Sequence, residues 1–307
     1  MLRIGLLPAF LLLILLTDAT PVLAHGSGPA GPEELWHHWS FGDIPLLALT
    51  GFLYARGVRF LWKRAGTGSG ISRLQAAAFA AGLTVLFIAL VSPLDFLSEQ
   101  LFSAHMVQHL FLMLVAAPLF VLGRFPLALS WAFPPHWTRR IWKQWRWKQV
   151  WKFLTLPAVA ALFHAAAIWI WHMPRLYEAS LLNEDVHFLE HACFFVSALI
   201  FWQVFTDLTE SVRSGSSARF GLALFLVFGI MMVNGFLGVL IAFSPQVWYA
   251  VYLRETALFG LTAIEDQQLA GTIMWVPAGM IYIASALSVM GRWLFSMEAA
   301  ENQRIKG

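Results

Sequence analysis

Charge is the scarcest commodity in this chain: of 307 residues only 12% are Asp, Glu, Lys or Arg, about half the share usual in soluble domains. A single cysteine, Cys193, excludes a disulfide framework and any multi-thiolate metal site. Twenty Lys and Arg against seventeen Asp and Glu leave a formal charge of +3, too little to attract nucleic acid. No soluble domain, internal repeat or low-complexity tract stands out. What is abundant is apolar: 59% hydrophobic residues and a mean hydropathy of +0.68, which excludes intrinsic disorder. The composition points to an all-α integral membrane protein. Ten histidines in so apolar a chain are costly residues that call for a use.

The first 24 residues combine Arg3, an apolar stretch and Val22-Leu23-Ala24. That order reads as a secretory signal peptide removed after Ala24, with an uncleaved anchor as the alternative. Residues 25–307 then read as one membrane domain. Seven stretches are long and apolar enough to cross a bilayer: 45–62, 76–93, 104–122, 153–172, 187–206, 220–243 and 270–293. The expected architecture is therefore a seven-transmembrane-helix bundle after an N-terminal signal peptide. Pro45, Pro93 and Pro157 fall near helix ends, whereas Pro118 and Pro277 fall inside and predict kinks or breaks.

The loops sort by charge. Lys63, Arg64, Arg73, the run from Arg124 to Lys152, Arg213, Arg219, Arg292, Arg304 and Lys306 share one side, against Arg175 and Arg254 on the other. Asp95, Glu99, Glu178, Glu184, Asp185, Glu255, Glu265 and Asp266 join the basic-poor side. The rule that cytoplasmic loops are basic predicts an outside N-terminus and a cytoplasmic C-terminus. The Trp- and cation-rich run His136–Lys152 reads as an in-plane helix on an anionic lipid surface rather than as a nucleic-acid site.

With that topology, five histidines fall at one depth, toward the outer side. His105 and His109 open the third span, His172 closes the fourth, and His187 and His191 open the fifth. Residues four apart lie on one face of a helix, so each His-x3-His pair can serve one metal ion. Met113 extends the first stripe by a turn. Imidazole with thioether suits copper, cuprous copper above all, while imidazole alone also suits zinc. Asp266 is an additional candidate, as ligand or as a partner orienting an imidazole; Asp95 is a weaker one. His25 would chelate copper with a free amine if cleavage exposed it, although a loose His-Gly-Ser-Gly start is the simpler reading. His164 reads as a helix–helix hydrogen bond, Cys193 as structural, and Met106, Met231, Met232 and Met274 as packing.

These motifs resemble the CtaG family of membrane-embedded cytochrome c oxidase assembly factors, the polytopic kind associated with caa-type oxidases. The resemblance covers about residues 36 to 295. It rests on Ser92-Pro-Leu-Asp95, His105-Met-Val-Gln-His109 leading to Ala117-Pro118 and Leu122-Gly123, Trp171-His172-Met-Pro174 with Tyr177, His187-x2-Glu190-His191, and Asp266-Gln-Gln-Leu-Ala-Gly271 with Met274-Trp275. Ala116-Ala117-Pro118 stands where Ala-Pro-Pro is common in that family, a departure that touches only the kink. The resemblance implies a non-enzymatic role in maturing a haem–copper oxidase by helping copper reach its binuclear centre. The implied partners are the oxidase catalytic subunit and a periplasmic copper chaperone, and the implied place is the bacterial plasma membrane.

Two other functions use the same histidines. A zinc-dependent intramembrane hydrolase of ceramidase type would take Ser103, His105, His187, His191 and Asp266 around a water-binding zinc. A haem-binding carrier would pair axial histidines across helices. An ion or proton carrier has less specific support.

Overall fold

The computed structural model describes residues 32–33, 35–134, 136, 145–210 and 217–306. The expected signal peptide 1–24, His25 and residues 137–144 of the Trp- and cation-rich run lie outside them. The described residues are mostly helical, with turns between the helices and no strand among them. Among the described residues run eleven α-helices: α1 Ile44–Ala65, α2 Arg73–Leu90, α3 Pro93–Gln100, α4 Phe102–Leu122, α5 Phe125–Ala132, α6 Trp145–Leu154, α7 Pro157–Trp171, α8 Pro174–Leu182, α9 Glu184–Glu210, α10 Ser217–Ala242 and α11 Ala263–Lys306. Six of these (α1, α2, α4, α9, α10 and α11) are long and apolar enough to span a membrane, and the bent pair α6–α7 makes a seventh. Their outward faces carry bare apolar side chains such as Leu162, Phe225 and Phe236, each more than half exposed. A bilayer would be the natural solvent for such a surface.

Local chemistry sets the helix ends. Ser72 and Gln75 form a reciprocal capping box at α2, and Thr262 with Glu265 does the same at α11, each satisfying otherwise orphaned amides. Asn183 Oδ1 accepts the Val186 N–H at the start of α9. The fourth span departs from the expected 153–172. Pro157 forces Leu156 into an extended conformation (ψ 130°), as a residue before proline must be. The chain therefore turns by 75° between α6 and α7, and the two reach the length and apolarity of a span only together. The seventh span is longer than the expected 270–293: α11 runs 44 residues, and Pro277, where a kink or break was expected, lies inside it without breaking the helix.

Pro118 does have a structural counterpart. Ahead of it, α4 loosens into a π-helical stretch at Phe111–Ala116. Lacking an N–H, Pro118 cannot serve the carbonyl five residues back, Met113 O. That oxygen instead receives the indole N–H of Trp202 from α9 at 2.9 Å. Helices α4 and α9 form the centre of the bundle, with most of their residues buried, and α11 lies against both α10 and the start of α4. The α10–α11 approach requires glycine: a Cβ on Gly271 would stand 2.5 Å from Ala242 N, and one on Gly238 would stand 2.9 Å from Gly271 O.

Candidate metal centre

Four helix ends meet at one end of the bundle: the starts of α4, α9 and α11, and the finish of α7. On α4, His105 and His109 lie one turn apart with ring centroids 4.3 Å from each other. On α9, His187 and His191 do likewise at 4.2 Å. The two pairs face each other, with His105–His187 at 5.4 Å and His109–His191 at 5.3 Å. His172, at the end of α7, stands 6.1 Å from His109. The five predicted imidazoles therefore converge, and four of them are buried; His187 alone is partly open.

A sixth group, absent from the expected ligand set, completes the cluster. Glu190 is fully buried, with its two carboxylate oxygens each 3.9 Å from an imidazole nitrogen, Oε2 from His105 and Oε1 from His109. These distances are too long for hydrogen bonds and close to the spacing of donor atoms around a shared ion. Its signal in the sequence is a carboxylate inside an apolar helix, one residue before His191 and three after His187. Two ligand sets each keep one donor atom per residue within 4.8 Å of the others: His105 with His187 and His191, and His105 with His109 and Glu190.

Hydrogen bonding marks the same place. Both ring nitrogens of His105 and of His109, Nε2 of His187 and of His191, and both Glu190 oxygens are buried with no hydrogen-bond partner. The nearby Ser180 hydroxyl is committed to the Tyr177 carbonyl. Buried polar atoms are almost always paired, and a carboxylate out of water costs several kcal/mol unless a cation accompanies it. So many unpaired lone pairs, converging on one volume around one carboxylate, suit a metal ion.

Aromatic side chains close the cluster toward the bundle end. Tyr177 hydrogen-bonds Tyr252 hydroxyl to hydroxyl at 2.9 Å, and Tyr252 donates to Ser98 O. Tyr249 donates to His172 O at 2.8 Å, pinning the last residue of the α7 turn. Burial pushes all three phenols above their usual range, so they remain neutral donors. On the open side by His187 lie Asp95, Glu99 and Glu184. Desolvation, helped by the negative charges of Asp95 and Glu184, pushes the Glu99 carboxyl up to about 7.

The remaining candidates sit elsewhere. Asp266 touches no imidazole: its Oδ2 accepts the Phe102 amide at 2.7 Å, and its Oδ1 accepts the Ser103 amide at 3.1 Å and the Ser103 hydroxyl. It is a cap for α4, supplied from α11 because Leu101, at the cap position, has no side-chain acceptor. Asp95 accepts from Gln108 Nε2 at 2.8 Å and from the Ser40 hydroxyl, which leaves it at the rim beside His187. Met113 is buried one turn beyond His109. His164 behaves as expected, with Nδ1 3.0 Å from Ser197 Oγ between α7 and α9.

No curated protein and no solved structure matches the chain. A family model described as cytochrome c oxidase caa3 assembly factor (Caa3_CtaG) matches residues 52–296, a range that contains every member of the cluster, and the chain belongs to that family.

Proposed function

We propose that this protein binds copper at the imidazole–carboxylate cluster and passes it to the copper centre of the oxidase it helps to assemble. The carrying observation is the convergence of five imidazoles on one buried carboxylate, with eight of their ring nitrogens and carboxylate oxygens unpaired. Copper is cargo here rather than a resident cofactor. The donors suit that role, since imidazole nitrogen accepts copper readily and more donors than one ion needs allow it to be held by changing subsets. A cuprous ion beside the Glu190 carboxylate makes a site of zero net charge, the least costly state for a buried ion pair. Zinc suits the same donors as the alternative cargo.

The distribution of charge supports a place in the bacterial plasma membrane with the cluster on the outer side. The acidic rim of Asp95, Glu99 and Glu184 beside the half-buried His187 would then admit cations from a periplasmic chaperone. Sealed by tyrosines above and apolar helices around it, the cluster could hand an ion to the oxidase catalytic subunit by ligand exchange.

The hydrolase reading loses support from the same geometry. Ser103 and Asp266, which it needs beside zinc, are bonded to each other and to the α4 amides. The test of the copper reading is metal analysis of protein purified from copper-supplied cells, alongside His105→Ala and His187→Ala. Copper in the parent, a lower copper content in both variants and deficient oxidase in their host membranes are expected. Copper content unchanged by the substitutions, with oxidase intact, would overturn it.

A further inference from the structure

We infer that the protein has a second site, a thioether pocket for a soft monovalent metal ion one turn beyond the imidazole cluster; this rests on the copper reading above and adds a step to it. The evidence begins at His172. Its Nδ1 lies 2.7 Å from Ile168 O. A carbonyl can only accept, so Nδ1 carries the proton, and Nε2 of the neutral ring carries a lone pair. That lone pair faces Met106 Sδ at 3.5 Å, and a thioether has no hydrogen to offer. Two buried electron-pair donors thus stand nose to nose with no proton between them.

Their separation is the one a shared ion would set. Donors about 2.0 Å (nitrogen) and about 2.3 Å (sulfur) from one ion, at a tetrahedral angle, stand about 3.5 Å apart. The surroundings extend the pair into a site. A small cavity of about 30 Å³ is lined by Met106, Met113, Met274, His109, His172 and Asn234 among its residues. The three methionines are all buried, and they arrive from two helices, α4 and α11. Asn234 is buried as well, and its Oδ1 has no partner.

Packing alone explains a methionine among leucines, and Met231 on α10, partly buried against the core, is of that kind. It does not explain one thioether set against an unprotonated imidazole nitrogen with two more on the wall of the same cavity. Thioether donors favour cuprous copper and disfavour zinc, so this pocket would accept what the cluster holds only if it is copper in the reduced state. His109 belongs to both places, with Nε2 3.9 Å from Glu190 and its ring on the cavity wall. An ion moving inward would exchange Glu190 oxygen and the outer imidazoles for sulfur and His172 Nε2 while His109 stays bound. Each metal–ligand bond broken is replaced by another, the ion remains monovalent, and neither electron nor proton is transferred.

The experiment is copper K-edge X-ray absorption on the full chain in detergent, loaded anaerobically with Cu(I), with stoichiometry measured by chelator competition. The parent is expected to bind two ions and to show a sulfur shell near 2.3 Å besides the nitrogen shell near 2.0 Å. Met106→Leu with Met274→Leu, a volume-conserving pair, should remove the sulfur shell and halve the stoichiometry while nitrogen-bound copper remains. His105→Ala with His187→Ala should do the reverse. A parent with nitrogen and oxygen scattering alone, or a sulfur shell that survives the methionine substitutions, overturns the second site and leaves the cluster standing. A parent that takes up no copper overturns both.

Discussion

Exchanging Glu190 for Gln keeps the size of the side chain and removes its charge. The exchange should weaken copper binding by about 10–100-fold, read by competition with a chromophoric chelator, because the lost charge is the one facing His105 and His109. Asp266 should behave in the opposite way. Asp266→Ala strips a buried helix start of its acceptor and should cost about 1–3 kcal/mol of stability, while the folded fraction binds copper as before. Asp266→Asn, still an acceptor, should recover part of the loss. The two acids show where sequence reasoning at this scale works and where it stops. The histidine stripes are visible because a spacing of four needs only helical geometry. Asp266 stands before an apolar run on the histidines' side, which places it at the right depth; nothing local says that its partners are the amides of residues 102 and 103. Met106 is hidden for a related reason. It lies about 100° around α4 from His105, off the stripe, and only the arrival of His172 from another helix gives its sulfur a neighbour of consequence.

At the scale of elements, the spans were readable as apolar lengths, and their interruptions were less so. Pro157 ends one helix and begins another because the residue before it is already extended, whereas Pro277 is accommodated within α11. The π-helical stretch before Pro118 depends on Trp202, a residue on a different helix, to satisfy Met113 O. Trp202→Phe should therefore leave that buried carbonyl unpaired and cost about 1–3 kcal/mol, measured by thermal unfolding in detergent. The short helix α3 carries the pH-sensitive acid of the rim. Since Glu99 titrates at about 7 in the fold and near 4.5 in the unfolded chain, its contribution to stability is full below about pH 4.5. That contribution is lost as the pH rises toward 7 and beyond. Between pH 5 and 8 the melting temperature of the parent should fall relative to that of Glu99→Gln; parallel curves for the two proteins would contradict the assignment.

Considered as a whole molecule, the bundle assembles its cluster from three successive spans, each adding one or two imidazoles. Cargo and fold are consequently linked: an ion that binds only the folded bundle stabilises it by mass action. At one hundred times Kd the gain is about 2.7 kcal/mol. Added Cu(I) should raise the melting temperature of the parent by clearly more than that of the His105→Ala, His187→Ala double variant, which keeps only the thioether pocket.

The Asp266 cap carries a consequence for how the protein is made. All five histidines have been synthesised by residue 191, but the acceptor that caps the helix bearing two of them, Asp266, comes only with the last span, where it takes the Phe102 and Ser103 amides. A nascent chain halted short of that point holds the histidines without the cap that steadies their helix. The stability of the cluster is thus completed late, by the last span to be made.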